Sequence, residues 1–466
     1  YIMPGSPLLL KLLIRSHFFL VLFFIATLPF TIMRHAIAAM MNVYYQKLEP
    51  RGIIEPIALQ GDYFGTGKIG DMSWKHLLDA DACMSCSRCE KSCPAFILGQ
   101  PLSPRGVIQE YGRQMVDSYR LTPADAYKQP RLLNEDGTIG GEDIWCCTTC
   151  LACVEGCPVL VEHLDKIVGI RRYSVLSEGK FFPSEYKQVF KDMEIFSDPL
   201  GKGSLLREDW AMNLKIKRVY QDPQIEILFW VGCMGALYDE RTRNKTVKAC
   251  RILEKAGVDF GILGKEERCC GDSARRMGNE YLFQELARQN IQTLKKYNVK
   301  KIVTFCPHGF HVFKNEYPQF GADFEVLHFT QLIKILLDEG KLKIQSKLDG
   351  LFTYHDPCYM GRYNNLYKTP RDLLDALLIS DLKEMAHSKK GSFCCGAGGG
   401  NFWRVRVVGR RMETLRIEEA IGTNTSGVIT ACPFCEIMLE SAANQKGMEY
   451  SYKVVDIMEL LDQAIR

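Results

Sequence analysis

Two runs of cysteine constrain this chain more than anything else in it. Cys83, Cys86, Cys89 and Cys93-Pro94 spell C-x2-C-x2-C-x3-C-P, and Cys147, Cys150, Cys153 and Cys157-Pro158 spell it again. Three thiolates at this spacing wrap a tight loop around one cubane. The fourth points away and ligates the other cluster of a two-cluster ferredoxin. The expected assignment is therefore crossed: Cys83, Cys86, Cys89 and Cys157 hold one [4Fe–4S] cluster, and Cys147, Cys150, Cys153 and Cys93 hold the other. Zinc is the competing metal, but its sites favour cysteine pairs separated by longer loops. Cys146 stands beside the second run and outside its pattern, as a buried thiol would. With 19 cysteines grouped in this way, a reducing compartment that loads clusters fits better than a secreted disulfide framework.

The 466 residues suffice for two or three domains with their own cores. A net charge of +4 gives no reason to expect a nucleic-acid partner. From Gln224 onward the pattern becomes α/β. Residues 225–231 and 299–305 read as buried strands, and Arg241–Ala256 reads as a helix. The layout then repeats. Cys233 matches Cys358, Cys269-Cys270 matches Cys394-Cys395 and Cys306 matches Cys432, at offsets of 125, 125 and 126 residues. Strand-like residues 351–355 and 428–430 precede the cysteines of the second copy as in the first. The expected architecture is an N-terminal transmembrane helix (1–50), a linker (51–74), an α-helical ferredoxin-like two-cluster domain (75–200) and duplicated α/β domains (201–345 and 346–466).

The second copy groups Cys358, Cys394-Cys395-Gly396 and Cys432-Pro433-Phe434-Cys435, five thiols where one cubane or zinc needs four. This resembles the cysteine-rich CCG domain of heterodisulfide reductases and related membrane electron-transfer proteins. The resemblance implies a non-cubane cluster at these five residues, which are also the candidates for the reacting centre. Gly396, Gly398, Gly399 and Gly400 would let backbone approach it closely. The first copy ends Cys306-Pro307-His308-Gly309, without a fifth thiol. Cys233, Cys269, Cys270 and Cys306 remain enough for an ordinary or partial cluster, and His308 or His311 could substitute for the missing ligand. Cys250 falls on a helix and reads as core.

The resemblance extends beyond cysteines. Residues 355–364, residues 230–233 and Lys314-Asn315-Glu316-Tyr317-Pro318 look like segments of bacterial membrane-bound iron–sulfur oxidoreductases that serve electron-transferring flavoprotein. It implies that flavoprotein, or a similar soluble donor, as partner and menaquinone as acceptor. The alternative that it implies is reduction of a disulfide substrate at the second CCG site. No Gly-x-Gly-x-x-Gly opens a βαβ unit, so no flavin or nicotinamide is expected on the chain itself.

The apolar stretch from His17 to about Tyr45 is long enough to cross a bilayer. Read as one helix, it puts His17 and His35 five turns apart on one face, roughly 27 Å along the axis. Pro29-Phe30-Thr31-Ile32-Met33-Arg34-His35 resembles the last helix of the cytochrome b subunit of respiratory nitrate reductases. That resemblance implies that His17 and His35 each supply one ligand to a b-type haem, completed by helices upstream or on another subunit. The chain opens at Tyr1 and is expected to be a fragment, or the soluble half of a larger assembly. Lys47 and Arg51 follow the apolar stretch, and Lys11 and Arg15 flank its other end. The expected location is the bacterial cytoplasmic membrane with the cluster domains facing the cytoplasm. The crossed assignment predicts that Cys157→Ser damages the cluster of Cys83, Cys86 and Cys89 and spares that of its own motif. EPR of the reduced variant distinguishes the two.

Overall fold

The computed structural model describes residues 7–31, 33–48, 50–118, 131–133, 139–405 and 408–465. Helix α1 (Pro7–Thr27) is 21 residues long. At 1.5 Å per residue it spans about 31 Å, enough for a bilayer core. None of its residues is buried. It ends where Thr27 Oγ1 hydrogen-bonds back to the carbonyls of Phe23 (2.9 Å) and Phe24 (3.0 Å), and a single 3₁₀ turn over Leu28–Phe30 follows. Proline in the first turn suits a new start and cannot continue the old helix.

Helix α2 (Arg34–Tyr44) then lies against α3 (Trp74–Ala82), the helix that leads into Cys83. This corrects the expectation of one helix from His17 to Tyr45. His17 belongs to α1 and His35 to α2, so the five-turn phase relation between them does not exist. His35 Nδ1 hydrogen-bonds the carbonyl of Asp81, and Arg34 lies 3.6 Å from the Asp81 carboxylate. Asn42 is fully buried and donates from Nδ2 to the Val159 carbonyl at 2.8 Å. Polar side chains in the second half of the stretch thus find partners in the cluster domain, which lipid could not provide.

The segment expected as a linker is a strap. Ile54 is buried, Arg172 donates to the Glu55 carbonyl (2.8 Å), and Gln284 donates to that of Ile57 (3.0 Å). The Thr66 N–H reaches the carbonyl of Gly169 at 2.9 Å. Lys47 and Arg51 pair with Asp165 (2.8 Å) and Glu155 (2.5 Å) of the cluster domain.

The two α/β units form as the repeat predicts, with unequal sheets. Strands β1 (Lys217–Arg218), β2 (Ile227–Phe229), β3 (Phe260–Ile262), β4 (Lys301–Thr304) and β5 (Glu325–His328) make a parallel sheet ordered β1-β3-β2-β4-β5. Strands β6 (Phe352–Tyr354), β7 (Gly427–Thr430) and β8 (Lys453–Asp456) make a parallel sheet in that order. They correspond to β2, β4 and β5, and β3 has no counterpart among the described residues. Strands β2, β4, β6 and β7 run toward Cys233, Cys306, Cys358 and Cys432 in turn. Helices Pro307–His311 and Pro433–Gln445 start with proline directly after their cysteine. Thiols therefore gather at the C-terminal ends of the strands, where open α/β sheets place ligands.

Both sheets feed one core, in which Phe229 and Val303 pack with Phe352, Tyr354 and Ile429. Across the same interface, buried Lys245 pairs with buried Glu436. Removing one member of such a pair strands a charge out of water. Lys245→Met should therefore destabilise the contact between copies by about 3–5 kcal/mol, and Lys245→Met with Glu436→Leu should recover most of the loss. The midpoint of urea unfolding followed by circular dichroism measures both.

Candidate metal centres

Each cysteine run turns through left-handed backbone at the same two places. Ser85 and Ser87 have φ of 52° and 60°, and Thr149 and Leu151 have φ of 52° and 62°. Non-glycine residues adopt this conformation at a cost of roughly 1–2 kcal/mol each. It coils the loops so that three thiols face one cavity and an N–H turns to sulfur, as Thr149 N does to Cys147 Sγ at 3.3 Å. Cys83, Cys86, Cys89 and Cys157 line one cavity of about 330 Å³. Cys147, Cys150, Cys153 and Cys93 line another of about 430 Å³. The fourth cysteine of each run thus stands with the other run.

In the second α/β copy all five cysteines are buried. Cys394 lies beside Cys358 and Cys395, and Cys395 lies beside Cys435, which neighbours Cys432. In the first copy Cys233, Cys269, Cys270 and Cys306 line a cavity of about 520 Å³, closed on one side by Pro433 and Phe434 of the second copy. His308 also lines it, held by a 2.8 Å hydrogen bond from Nδ1 to Asp272 and stacked on Tyr359 with ring centres 4.0 Å apart. His311 faces elsewhere, bonding Asn315 at 2.9 Å and meeting Tyr363 edge-on. Cys250 sits in the core, and Cys146 is buried 3.6 Å from Arg404 Nη1.

Gly398 and Gly399 of the second copy serve a further approach, to backbone. A Cβ on Gly398 would lie 2.3 Å from the Thr148 carbonyl oxygen, and one on Gly399 would lie 2.2 Å from that of Cys147. These residues press the second copy onto the ferredoxin loop, backbone to backbone. As a result Cys394 comes to lie beside Cys150, a member of the adjoining group. Cys153 neighbours Cys89 across the two ferredoxin groups, and Cys306 neighbours Cys432 across the two copies. The four groups form an unbranched row.

Burial raises most of these thiols: Cys147 is pushed up to about 11 and Cys89 to about 12, and Cys153 and Cys306 rise well above the ordinary range. These four are neutral without metal, and a bound metal displaces their protons, whereas the neighbouring thiols hold Cys394 below the ordinary range and Cys395 down at about 5. Cations wait beside the resulting charge. Arg207 Nη2 lies 3.1 Å from Cys233 Sγ, and Arg362 Nε donates to the Cys150 carbonyl at 2.6 Å. Arg171, fully buried, donates to the carbonyls of Cys147 (2.7 Å), Ile144 (2.6 Å) and Gly399 (3.0 Å). Backbone N–H groups add further bonds to sulfur, from Gly271 to Cys269 (3.4 Å), Gly396 to Cys394 (3.3 Å) and Val161 to Cys157 (3.4 Å). Thiol groups ringed by N–H donors and cations suit all-thiolate iron–sulfur clusters. The spacing of the cysteines carries no sign of these arginines, because each comes from a distant element.

The haem expectation does not fit in the same way. The described geometry does not bring His17 and His35 onto one helix, and His35 is engaged with the cluster domain.

Comparison with known proteins agrees with this geometry. The 4Fe–4S dicluster domain model matches residues 79–161, and the cysteine-rich domain model matches residues 227–314 and 352–440. The chain is 38% identical to the "Probable iron-sulfur-binding oxidoreductase FadF" of Bacillus subtilis, over 96% of this chain and 69% of that protein. It is 36% identical to the EtfAB:quinone oxidoreductase of Syntrophomonas wolfei, over 98% and 68% respectively. One component of the dihydromethanophenazine:CoB–CoM heterodisulfide reductase of Methanosarcina barkeri is 30% identical over 84% of this chain and 95% of its own length. With two ferredoxin-type cysteine groups set against a duplicated cysteine-rich domain, the chain belongs to the family of iron–sulfur oxidoreductases that includes these quinone-linked and heterodisulfide-reducing proteins.

Proposed function

We propose that this chain carries electrons from a soluble protein donor of the electron-transferring flavoprotein type to quinone, menaquinone in particular, in a membrane. The observation that carries this reading is the unbranched row of cysteine groups, running from the cavity of the first copy to the ferredoxin group beside α2. Iron–sulfur clusters bound there supply one-electron transfer. The protein orders the groups, excludes water from them and supplies the cations and N–H groups that oppose their charge. In this reading the second copy holds a non-cubane cluster through its five thiols and the first copy a four-thiolate one.

The membrane end is the group of Cys83, Cys86, Cys89 and Cys157. Asn42 and His35 bind peptide carbonyls within two residues of Cys157 and Cys83. Helix α1 leaves this point as the one helix among the described residues long and apolar enough to cross a membrane. The cluster domains belong on the cytoplasmic side, where clusters are assembled.

The full chain in menaquinone liposomes tests the proposal, with reduced electron-transferring flavoprotein as donor. The donor should reduce the EPR-visible clusters and then the quinone. Deleting residues 7–27 should leave cluster reduction intact and lower quinone reduction at least tenfold. Undiminished quinone reduction by that variant, or turnover of a disulfide in place of quinone, overturns the reading.

The two copies should also differ in metal content. A Cβ on Gly309 would meet Phe313 at 3.7 Å and Thr304 Oγ1 at 3.9 Å, ordinary contacts that leave room for a thiol. Gly309→Cys should fold, and should raise the iron bound by the first copy toward that of the second, as read by iron analysis and Mössbauer spectroscopy.

A further inference from the structure

His355 stands at the end of β6, where the first copy has Trp230 at the end of β2. The two backbones are equivalent: His355 N–H bonds the Ile429 carbonyl and Trp230 N–H bonds that of Val303, each at 2.8 Å. His355 is 1% exposed. One of its ring nitrogens and the sulfurs of Cys395 and Cys435 all lie within 4.8 Å of one another. A histidine among thiols suggests a sixth ligand, and Arg416 argues against it. Arg416 Nε donates to His355 Nδ1 at 2.9 Å. A guanidinium has no acceptor, so Nδ1 presents its lone pair and the neutral ring carries its proton on Nε2. Arg416 is itself fixed, fully buried and bonded to the His387 carbonyl (2.9 Å) and the Glu419 carboxylate (2.6 Å). Metal-binding histidines show the reverse arrangement, with the second nitrogen donating to a carboxylate or carbonyl. His355 Nε2 is buried and has no partner among the described residues. A buried N–H left in this state carries its full desolvation cost.

We propose that His355 donates a hydrogen bond from Nε2–H to a sulfur of the second copy's centre, with Arg416 locking the tautomer, and so favours the reduced form of that centre without coordinating iron. This rests on the reading above that a cluster occupies the five-cysteine group. Hydrogen bonds to sulfur are one of the settings of a cluster's potential. A donor opposes the extra negative charge of the reduced state.

The test is an EPR-monitored redox titration of the cluster-loaded full chain, with iron analysis. H355L should keep its iron, and its reduced-to-oxidised ratio at the wild-type midpoint should fall at least tenfold, about 59 mV for one electron. H355Q, which retains an N–H donor, should stay within threefold of wild type. An unchanged midpoint in H355L overturns the proposal, and so does iron loss from the second copy in both variants. Pulsed EPR of the wild type labelled with ¹⁵N-histidine gives an answer independent of variant folding. Weak nitrogen coupling with an exchangeable proton supports the donor, and the strong coupling of a direct Fe–N bond overturns it. C395S separates the underlying reading: if it leaves every cluster signal unchanged, no cluster occupies this group and the proposal falls with it.

Discussion

Negative charge on sulfur, held away from water, is the constraint around which this protein is built. A buried thiolate survives only when metal and nearby dipoles or cations oppose its charge. Arg171, Arg207 and Arg362 are buried for that purpose, and each is tied to carbonyls, a carboxylate or sulfur so that its own desolvation is met. These arginines also join the units. Arg171 bridges the ferredoxin loop to the carbonyls of Arg276 and Gly399, and Arg362 reaches from the second copy to Cys150. The same side chains that stabilise the centres therefore set the distances between them.

Two copies of one plan have taken different parts within this arrangement. The second copy shows no counterpart of β3 among the described residues and keeps five neighbouring thiols. The first copy keeps the wider sheet, but where the second has Ala397, Phe434 and Cys435 it has Asp272, His308 and Gly309. Removing a thiol and adding a hydrogen-bonded imidazole opens the cavity and makes its wall polar. Phe434 of the second copy in turn closes that cavity. One copy is packed as a relay and the other keeps space beside its cysteines.

Much of this was legible in the residues, because thiol chemistry is local. Spacing within each run predicts which cysteine turns away, and the repeat offsets anticipate β2, β4, β6 and β7 and the groups at their ends. The misreadings share a cause in tertiary contact. A period of 18 residues implied one helix through His17 and His35, but Leu28-Pro29-Phe30 interrupts it and Asp81 and Val159 offer partners to α2. Gly398 and Gly399 were legible as sites of close approach, but what approaches is the carbonyl of a loop some 250 residues earlier, which no local pattern encodes. Arg416 and the tautomer that it imposes were invisible for the same reason.

The wall of the second ferredoxin group has a consequence for biogenesis. Cys150 is covered by Arg362 from 212 positions further along the chain, and Arg171 meets the Gly399 carbonyl 228 positions beyond itself. Neither contact can form until those residues have been synthesised. At about 5–20 residues per second, 212 positions correspond to roughly 10–40 s during which these cysteines stand uncovered on the ribosome. Cofactor delivery to this group therefore has a co-translational window, and docking of the second copy shuts it.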